Sequence, residues 1–198
     1  THLNQAGALV HVYTDGSVHL NHGGTEMGQG LYTKVAQVVA EVFGIDASAV
    51  RITATTTAKV PNTSATAASS GADLNGMAAK QAASTIKARM TDLAAMTWKV
   101  PKARIRFEGG RVLAGNRSMA FAELARMAHA ARISLSSTGY YATPKIHWDR
   151  AKAKGRPFFY FAYGAACAET TIDTLTGEMR IDRVDLLHDV GRSLNPAI

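Results

Sequence analysis

The alternation of apolar and polar residues near the N-terminus predicts a β-hairpin. Within residues 8–22, "ALVHVYT" and "VHLNH" both alternate, and the "DGS" between them supplies an Asp-Gly turn. Residues 30–43 then place apolar side chains three and four positions apart, which predicts an amphipathic helix that Gly44 can cap. The β-branched residues of 50–56, "VRITATT", favour a further strand.

The middle of the chain predicts two more helices. Small residues, Lys and Met dominate a long helix from about Asp73 to Thr97, which follows an aperiodic loop. Residues 103–114, "ARIRFEGGRVLA", predict a hairpin with two glycines at its tip. Ser118 stands where it could cap a shorter helix that ends near Ala131.

The C-terminal third is rich in β-strand patterns: "ISLSSTGYY", "FFYFAYGAACAETTID" and "MRIDRVDLLHDV". Few strict β-α-β repeats occur in the resulting order of elements. The predicted fold class is therefore α+β, a two-layer sandwich of a mixed or antiparallel sheet packed on helices. We expect residues 1–198 to be a segment of one domain, with a possible sub-boundary near residues 130–155.

Composition narrows the function classes. The chain is 46% hydrophobic, enough for a core, and contains no apolar run of the roughly 20 residues that span a bilayer. The net charge of +7 is compatible with an anion-binding face or with a merely solvated basic face. Basic residues form no stripe with interleaved aromatics, so a nucleic-acid-binding module is the weaker hypothesis. The single Cys167 excludes an internal disulfide and is expected to be an inert core thiol, in keeping with a reducing compartment.

The stretch "NHGGTEMGQG" (21–30) places four glycines immediately before a predicted helix. Glycines let a ligand approach the main chain, and the free amides of a helix start attract anions. The spacing fits neither a Walker loop nor a dinucleotide fingerprint, because Gln29 and Thr33 stand at the diagnostic positions. An ordinary glycine turn and a cofactor-approach loop both stay open. Glu26 could act as a base, although structural hydrogen bonding is the favoured interpretation.

A second stretch, "PNTSATAASSGAD" (61–73), concentrates small residues before the next helix. Ala67 and Ala68 offer methyl groups and amides on which a flat planar ligand could pack. Ser69 and Ser70 offer hydroxyls and free N–H groups to an anion. A helix N-terminus with surplus caps explains the same residues, so both interpretations stay open.

The titratable residues predict no self-contained reaction site. The seven histidines are scattered, and a strand would place His19 and His22 on opposite faces, so we expect exposed polar positions and no shared metal. A nucleophile elbow of the Gly-x-Ser-x-Gly type is also missing from the sequence. These residues indicate a binding scaffold with two close-approach loops.

At those two loops the sequence resembles a known family. "GGTEMGQGLYTKVAQVVAE" and "VPNTSATAASSGADLNGMA" look like the molybdenum-cofactor-binding region of the molybdenum hydroxylases, the xanthine oxidase family. "SLSSTGYYATP" and the C-terminal strands are similar to the same region, and the likeness is least distinct over residues 90–130. The run at residues 66–69 favours the xanthine dehydrogenases, bacterial large subunits in particular. An aldehyde oxidase-type hydroxylase, which shares the glycine motif, is the alternative.

The resemblance implies where molybdopterin would be bound. Gly28, Gln29 and Gly30 correspond to the loop that holds the pterin, with Gln29 as a pterin or phosphate ligand. Ser69 and Ser70 would add cofactor contacts from the next helix start. In the family the metal is held by the dithiolene of the pterin, which implies that no protein His/Cys cluster is needed.

The resemblance also implies a substrate wall and no catalytic residue within this segment. Ala67 and Ala68 match the pair that packs on one face of the purine, and the backbone of Ala68 would lie beside the molybdenum without a side-chain metal ligand. The general base glutamate belongs after residue 198, and the acid, arginine and aromatic groups that orient the purine belong before residue 1.

The assembled enzyme implied by the family hydroxylates hypoxanthine to xanthine and xanthine to urate. Electrons pass through 2Fe–2S clusters and FAD to NAD. The implied partners are the purine, the remainder of the large subunit and an iron–sulfur/FAD small subunit, in a dimer of heterodimers. We expect a cytoplasmic enzyme without nucleic-acid or membrane partners, and an isolated 198-residue segment without activity.

Overall fold

The computed structural model describes residues 2–59 and 63–196, which form an α+β fold of three helices and several small sheets. The predicted fold class is confirmed. In chain order the elements are β1 Gln5–Val12, β2 Val18–His22, α1 Leu31–Phe43, β3 Val50–Ile52, α2 Gly71–Trp98, β4 Arg106–Glu108, β5 Arg111–Ala114, β6 Arg117–Ala120, α3 Phe121–Ala130, β7 Ser136–Ala142, β8 His147–Asp149, β9 Lys154–Arg156, β10 Tyr163–Ile172 and β11 Met179–Asp189.

The main sheet has the strand order β3-β2-β1-β7, with β1 antiparallel to both of its neighbours and β3 parallel to β2. The predicted N-terminal hairpin is confirmed. The strand predicted over 50–56 ends at Ile52, so its second half is wrong. Beyond it, the hydroxyl of Thr55 lies 3.0 Å from the carbonyl oxygen of His22 and 2.9 Å from that of Gly24. Side-chain hydrogen bonds therefore replace the strand ladder there.

Helix α2 packs on one face of the main sheet, and its backbone comes very close to the backbone of β7. Its buried face is made largely of small residues: Ala78, Ala79, Ala82 and Ala83. Opposite them, β7 presents Gly139, where an added Cβ would lie 2.1 Å from the carbonyl oxygen of Ala78. This small-residue contact lets the two backbones nearly touch and fixes where the N-terminal end of α2 stands.

Helix α1 packs beside α2 and carries the glycine-rich stretch at its N-terminal end. Both capping residues, Gly30 and Gly44, adopt the left-handed conformation, with φ of 71° and 62°. Glycine enters that region without a Cβ penalty, which explains why this helix begins and ends where it does. The predicted helix over 30–43 is confirmed.

The predicted cap at Ser118 is wrong. Ser118 lies in β6, where it pairs with Leu113 of β5, and helix α3 begins three residues later at Phe121. The Ser118 hydroxyl accepts a hydrogen bond of 2.7 Å from Arg111 Nε across the sheet. A third strand thus follows the predicted hairpin before the helix starts.

The strands after residue 146 form two separate two-stranded hairpins, β8–β9 and β10–β11. The long β10–β11 hairpin leaves large apolar side chains open to solvent, with Leu186 76% and Leu187 77% exposed. Cys167 is exposed on β10, so its prediction as a core thiol is wrong for this chain. Such apolar exposure is typical of a surface that packs on further protein. The sub-boundary near 130–155 stays a prediction.

Candidate functional site

The structure brings the two predicted loops together around one cavity. The backbone N–H of Thr25 donates to the hydroxyl of Thr66 across 2.9 Å and ties the loops to each other. Between them lies a cavity of about 520 Å³, here named the loop cavity. Its lining residues are Met27, Gln29, Leu31, Lys34, Thr66, Ala67, Ala68, Ser69, Gly71 and Ala72.

The glycines of the first loop serve two different purposes. An added Cβ at Gly23 would lie 2.2 Å from Thr63 Oγ1, and one at Gly24 would lie 2.6 Å from atoms of Asn75 and Leu31. These two glycines make room for the protein's own side chains. Gly28 has φ of 98° and open space around its missing Cβ, so it leaves room above the loop.

Glu26 caps helix α1 from within the loop. Its Oε1 accepts hydrogen bonds from the backbone N–H groups of Gly28 (2.9 Å) and Gly30 (3.1 Å), and its Oε2 accepts from Tyr32 (2.9 Å). These bonds, the one from Tyr32 foremost, lower the pKa of Glu26 below its ordinary value. The predicted structural hydrogen bonding of Glu26 is confirmed. The anion site of this helix N-terminus is filled by the chain's own carboxylate.

Gln29 reaches the loop cavity while bracing the loop that carries it. Its side-chain Oε1 accepts from the backbone N–H of Met27 at 2.6 Å, and its Nε2 donates to the carbonyl oxygen of Thr25 at 2.9 Å. An amide group has two N–H donors, and the second has no partner in the described part of the chain. Gln29 can therefore donate one hydrogen bond to a ligand without releasing the loop.

The second loop forms a strained turn at the other side of the cavity. Ala68 and Ser69 both have positive φ, 54° and 56°, a backbone conformation that residues other than glycine rarely adopt. Ala67, Ala68 and Ser69 are exposed and line the loop cavity. Ser70 is buried and its hydroxyl donates to the carbonyl oxygen of Ala67 at 3.0 Å. Ser70 therefore supports the turn from behind, outside the loop cavity.

Lys34 is a lining residue that the sequence reasoning missed. It stands in the first turn of α1, where its backbone N–H donates to the carbonyl oxygen of Gly30 at 3.1 Å. Within the residues described, it contributes the one charged side chain of the loop cavity. Its position one turn after the glycines is a signal in the sequence, but a lysine on a helix is usually just a solvated residue.

His22 lies beneath the first loop and is buried, so its prediction as an exposed polar residue is wrong. Its Nδ1 accepts from the backbone N–H of Gly24 at 3.1 Å, and its ring meets Tyr32 edge-on at 5.2 Å. Burial lowers the pKa of His22 to about 4, so the ring is neutral near pH 7. Its Nε2 is buried and has no hydrogen-bond partner among the described residues. Across residues 2–59 and 63–196, no three His, Cys, Asp or Glu side chains cluster as a metal site.

On the other side of the strained turn lies a smaller cavity of about 120 Å³ with polar and aromatic lining, here named the rear chamber. Ala68 lines both cavities, and Ser70, Asp73, Thr143 and Tyr160 supply polar groups to this one. Burial raises the pKa of Asp73, and burial together with the Asp73 carboxylate raises the pKa of Tyr160 to about 12. The volume is enough for a few water molecules beside Asp73 Oδ1 and Thr143 Oγ1, which have no hydrogen-bond partner in the part of the chain that the structure describes.

The loop cavity can bind and position a ligand, but its own residues supply no acid–base pair. It offers an amide donor at Gln29, hydroxyls at Thr66 and Ser69, an ammonium at Lys34 and apolar walls at Leu31 and Ala67. This donor set suits a polar ligand that carries an anionic group and can lay a flat face on the small apolar residues. The residues fit a bound cofactor whose reactive atom is carried by the cofactor itself.

Comparisons with known proteins support this interpretation. The whole chain, residues 1–198, matches the family described as molybdopterin cofactor-binding domain. It is 48% identical to the xanthine dehydrogenase of Oryza sativa subsp. japonica and 47% identical to the xanthine dehydrogenase/oxidase of Gallus gallus, over 99% of this chain and 13% of each relative. The crystal structure of quinoline 2-oxidoreductase from Pseudomonas putida 86 is similar with a TM-score of 0.81 and 26% identity, covering 98% of this chain and 24% of that one. None of the helices in the described residues has the length and apolar character to traverse a membrane.

Proposed function

The chain belongs to the molybdopterin cofactor-binding domain family, and from that premise we propose that its loop cavity holds the pterin of that cofactor in a xanthine dehydrogenase. The observation that carries the proposal is the meeting of two sequence-distant loops, residues 27–34 and 66–72, around one cavity of about 520 Å³. A ligand of elongated, partly planar shape can contact both loops there at once.

The residues of the loop cavity would hold the cofactor by binding and orientation alone. Gln29 would donate its free amide N–H to the pterin, and Ser69 would add a hydroxyl contact. Gly28 would leave room for the ring, because nothing lies within 4 Å of its missing Cβ. When bound, the cofactor supplies molybdenum for oxidative hydroxylation of an electron-poor carbon. The chain need not supply a metal ligand of its own.

The exposed methyl groups of Ala67 and Ala68 would form one wall of a purine slot. A wall of methyl groups presents a flat apolar surface on which an aromatic ring can stack with little loss of side-chain entropy. Ala68 lines the loop cavity and has a positive φ of 54°, an unusual backbone conformation in keeping with the position beside molybdenum that we propose for it. The polar groups that orient the purine would come from other segments of the protein.

The full reaction is proposed for a larger protein, because the chain spans 13% of the length of the relatives named above. We expect hypoxanthine and xanthine as substrates, 2Fe–2S clusters and FAD as electron carriers, and NAD as acceptor. The remainder of the large subunit and a small iron–sulfur/FAD subunit would be the partners, in a cytoplasmic dimer of heterodimers. The apolar surface of the β10–β11 hairpin supports packing against such neighbours. A bacterial source stays a prediction.

The first test is the cofactor content of the intact protein. Purified protein should contain molybdenum and a fluorescent oxidised pterin in equal amounts, and it should oxidise xanthine faster than an aromatic aldehyde. Faster oxidation of the aldehyde would assign the segment to an aldehyde oxidase-type hydroxylase. A protein with neither metal nor pterin would refute the proposed function.

Substitutions in the two loops separate cofactor binding from substrate binding. Gln29→Ala should lower molybdenum occupancy, whereas Asn116→Ala, which removes an exposed amide remote from the cavity, should not. Ala68→Leu should raise the KM for xanthine strongly at nearly constant molybdenum content. Ala65→Leu is its control, since Ala65 is exposed in the same loop without lining the cavity. Wild-type KM in Ala68→Leu would remove the alanine wall from the proposal.

A further inference from the structure

The rear chamber is lined by two residues whose buried oxygen atoms have no hydrogen-bond partner in the part of the chain that the structure describes, Thr143 Oγ1 and Asp73 Oδ1. Thr143 is only 9% exposed, and none of the ion pairs between described residues includes Asp73. A buried hydroxyl or carboxylate oxygen without a partner costs free energy, and native proteins satisfy nearly all such atoms with protein groups or ordered water. These two atoms therefore indicate a small polar ligand in the chamber.

Separate parts of the chain enclose the rear chamber and position these two residues. Thr143 follows the end of β7, where its backbone N–H donates to the carbonyl oxygen of Asn4 at 3.0 Å. Asp73 lies in the first turn of α2, and the Tyr160 hydroxyl, from the segment after β9, donates to its carboxylate. The strained turn contributes Ala68 to the lining. Because these parts are far apart in the sequence, the tertiary fold alone assembles the polar lining.

The strained turn needs support that the described residues supply only in part. Both Ala68 and Ser69 have positive φ, and residues in such a conformation persist only where the surrounding structure holds them. The carbonyl oxygen of Ala67 accepts from the hydroxyl of Ser70 at 3.0 Å, whereas the peptide N–H and C=O of Ala68 bond to no other described residue. Ala68 lines the rear chamber, so molecules bound there lie beside the turn.

Water is the ligand that fits the rear chamber. Its volume of about 120 Å³ admits a few water molecules and is far below the size of a cofactor site. A carboxylate oxygen accepts hydrogen bonds, and a threonine hydroxyl both donates and accepts, so water can bridge the two. A metal ion fits less well, because Asp73 is the only acid in the lining among the described residues.

We propose that the rear chamber is a site for ordered water that bonds Thr143 and Asp73 and holds the strained turn, so that these two residues position the alanine wall of Ala67 and Ala68. This inference rests on the proposed function and deepens it, because the alanine wall is the surface proposed to pack on the purine. The water molecules link the end of β7 and the start of α2 to the turn. Loss of this link lets the turn shift and loosens the purine slot.

Thr143→Val tests the proposal in the intact protein, because it replaces the hydroxyl by a methyl group of similar size. Thr138→Val is the matched control, since it makes the same change at an exposed position of β7. Thr143→Ser keeps the hydroxyl and removes the methyl group instead. Hydrogen exchange is measured over the first two turns of α2, and the kinetic constants for xanthine and the molybdenum content are measured on the same preparations.

Thr143→Val should accelerate amide exchange at the start of α2 about fivefold, the effect of losing one hydrogen bond. Its KM for xanthine should rise severalfold at wild-type kcat and molybdenum content, since the wall contributes to binding and not to the chemical step. Thr143→Ser should recover most of the wild-type KM, and Thr138→Val should equal the wild type in both measurements.

A dry chamber predicts the opposite result for Thr143→Val. Valine would then remove a buried hydroxyl that has no partner, so exchange would slow or stay unchanged and the KM would not rise. That result would overturn the proposal. Faster exchange with an unchanged KM would restrict Thr143 to a structural role and overturn its positioning of the wall.

A high-resolution crystal structure of the intact protein tests the water directly. Ordered water should lie within hydrogen-bond distance of Thr143 Oγ1 and Asp73 Oδ1, and the water bound to Thr143 should be lost in Thr143→Val. A chamber without ordered water would contradict the proposal and leave the proposed function intact. A wild type that contains no molybdopterin would instead refute the proposed function, while the exchange data and the crystal structure still decide whether water supports the turn.

Discussion

Replacing Gly139 by alanine should separate helix α2 from the main sheet and disturb the loop cavity. The new Cβ would lie 2.1 Å from the carbonyl oxygen of Ala78 and 2.7 Å from the backbone N of Ala82. Both neighbours are helix backbone, so no side-chain rotation can relieve the contact. Gly139 is not in the left-handed region, so the expected cost comes from the contact and not from backbone strain.

The magnitude follows from the displacement required. Real Cβ contacts are essentially never shorter than 3.0 Å, so α2 must move outward by about 1 Å near Ala78. A gap of that size forfeits a quarter to a half of the dispersion energy along the contact. The alanines that face β7 have no flexible side chains to refill it. We therefore expect a loss of about 3 kcal/mol, the upper end of the usual cost of overpacking.

Hydrogen exchange followed by mass spectrometry on the intact protein measures this loss locally. A local destabilisation of about 3 kcal/mol should accelerate amide exchange in the first half of α2 by roughly a hundredfold. Because the N-terminal end of α2 forms one wall of the loop cavity, molybdenum content should fall as well. Thr138→Ala, an exposed change on the same strand, is the control. Unchanged exchange in α2 of Gly139→Ala would refute the small-residue contact as the element that sets the helix position.

Three further outcomes are expected. The pKa of His22 is about 4 in the folded state and 6.5 ordinarily, so the unfolded state binds the proton first as the pH falls. The free energy of unfolding should therefore fall by up to about 3 kcal/mol as the pH drops from 6.5 toward 4. Urea unfolding of the wild type and of His22→Gln at each pH measures this loss, because the variant lacks the titrating ring. Glu26→Gln should weaken the cap of α1, seen as faster amide exchange over residues 26–34 at pH 7 with α3 unchanged; equal exchange in both proteins would contradict the capping role. Because burial raises the pKa of Asp73, Asp73→Asn should raise the melting temperature at pH 7 and do so less at pH 4, since protonation of the folded wild type relieves part of the same cost as the pH falls; a larger gain at pH 4 would contradict this.

The sequence alone sufficed where the controlling interactions are local. The alternation over residues 8–22 and the apolar spacing over 30–43 predicted the first hairpin and helix α1, because the periodicity of a strand or helix depends only on residues close together in the sequence. Ser118 shows the limit of that logic, since a serine before an apolar run fits a helix cap and a strand equally well. The pairing of β6 with β5 decided between them.

Some of the candidate site residues could be predicted from the sequence. Its small-residue loops predicted a close-approach site, and the structure brings Gln29, Ala67, Ala68 and Ser69 to one cavity. The bound cofactor roles of these residues stay predictions. The prediction that His22 is exposed was wrong, because a strand pattern does not show that the following loop folds over the end of the strand and buries its last residue.

The sequence by itself determined the α+β elements, the small-residue composition of both loops and the family to which they belong. The tertiary structure alone decided which glycines accommodate protein atoms and which leave open space: a Cβ added at Gly23 would meet Thr63, whereas one at Gly28 would have nothing within 4 Å. It also decided that Glu26 fills one helix N-terminus while Lys34 is left without a partner among the described residues. The physical reason is that a residue's charge and size are local properties, whereas its neutralisation and its free volume depend on distant parts of the chain.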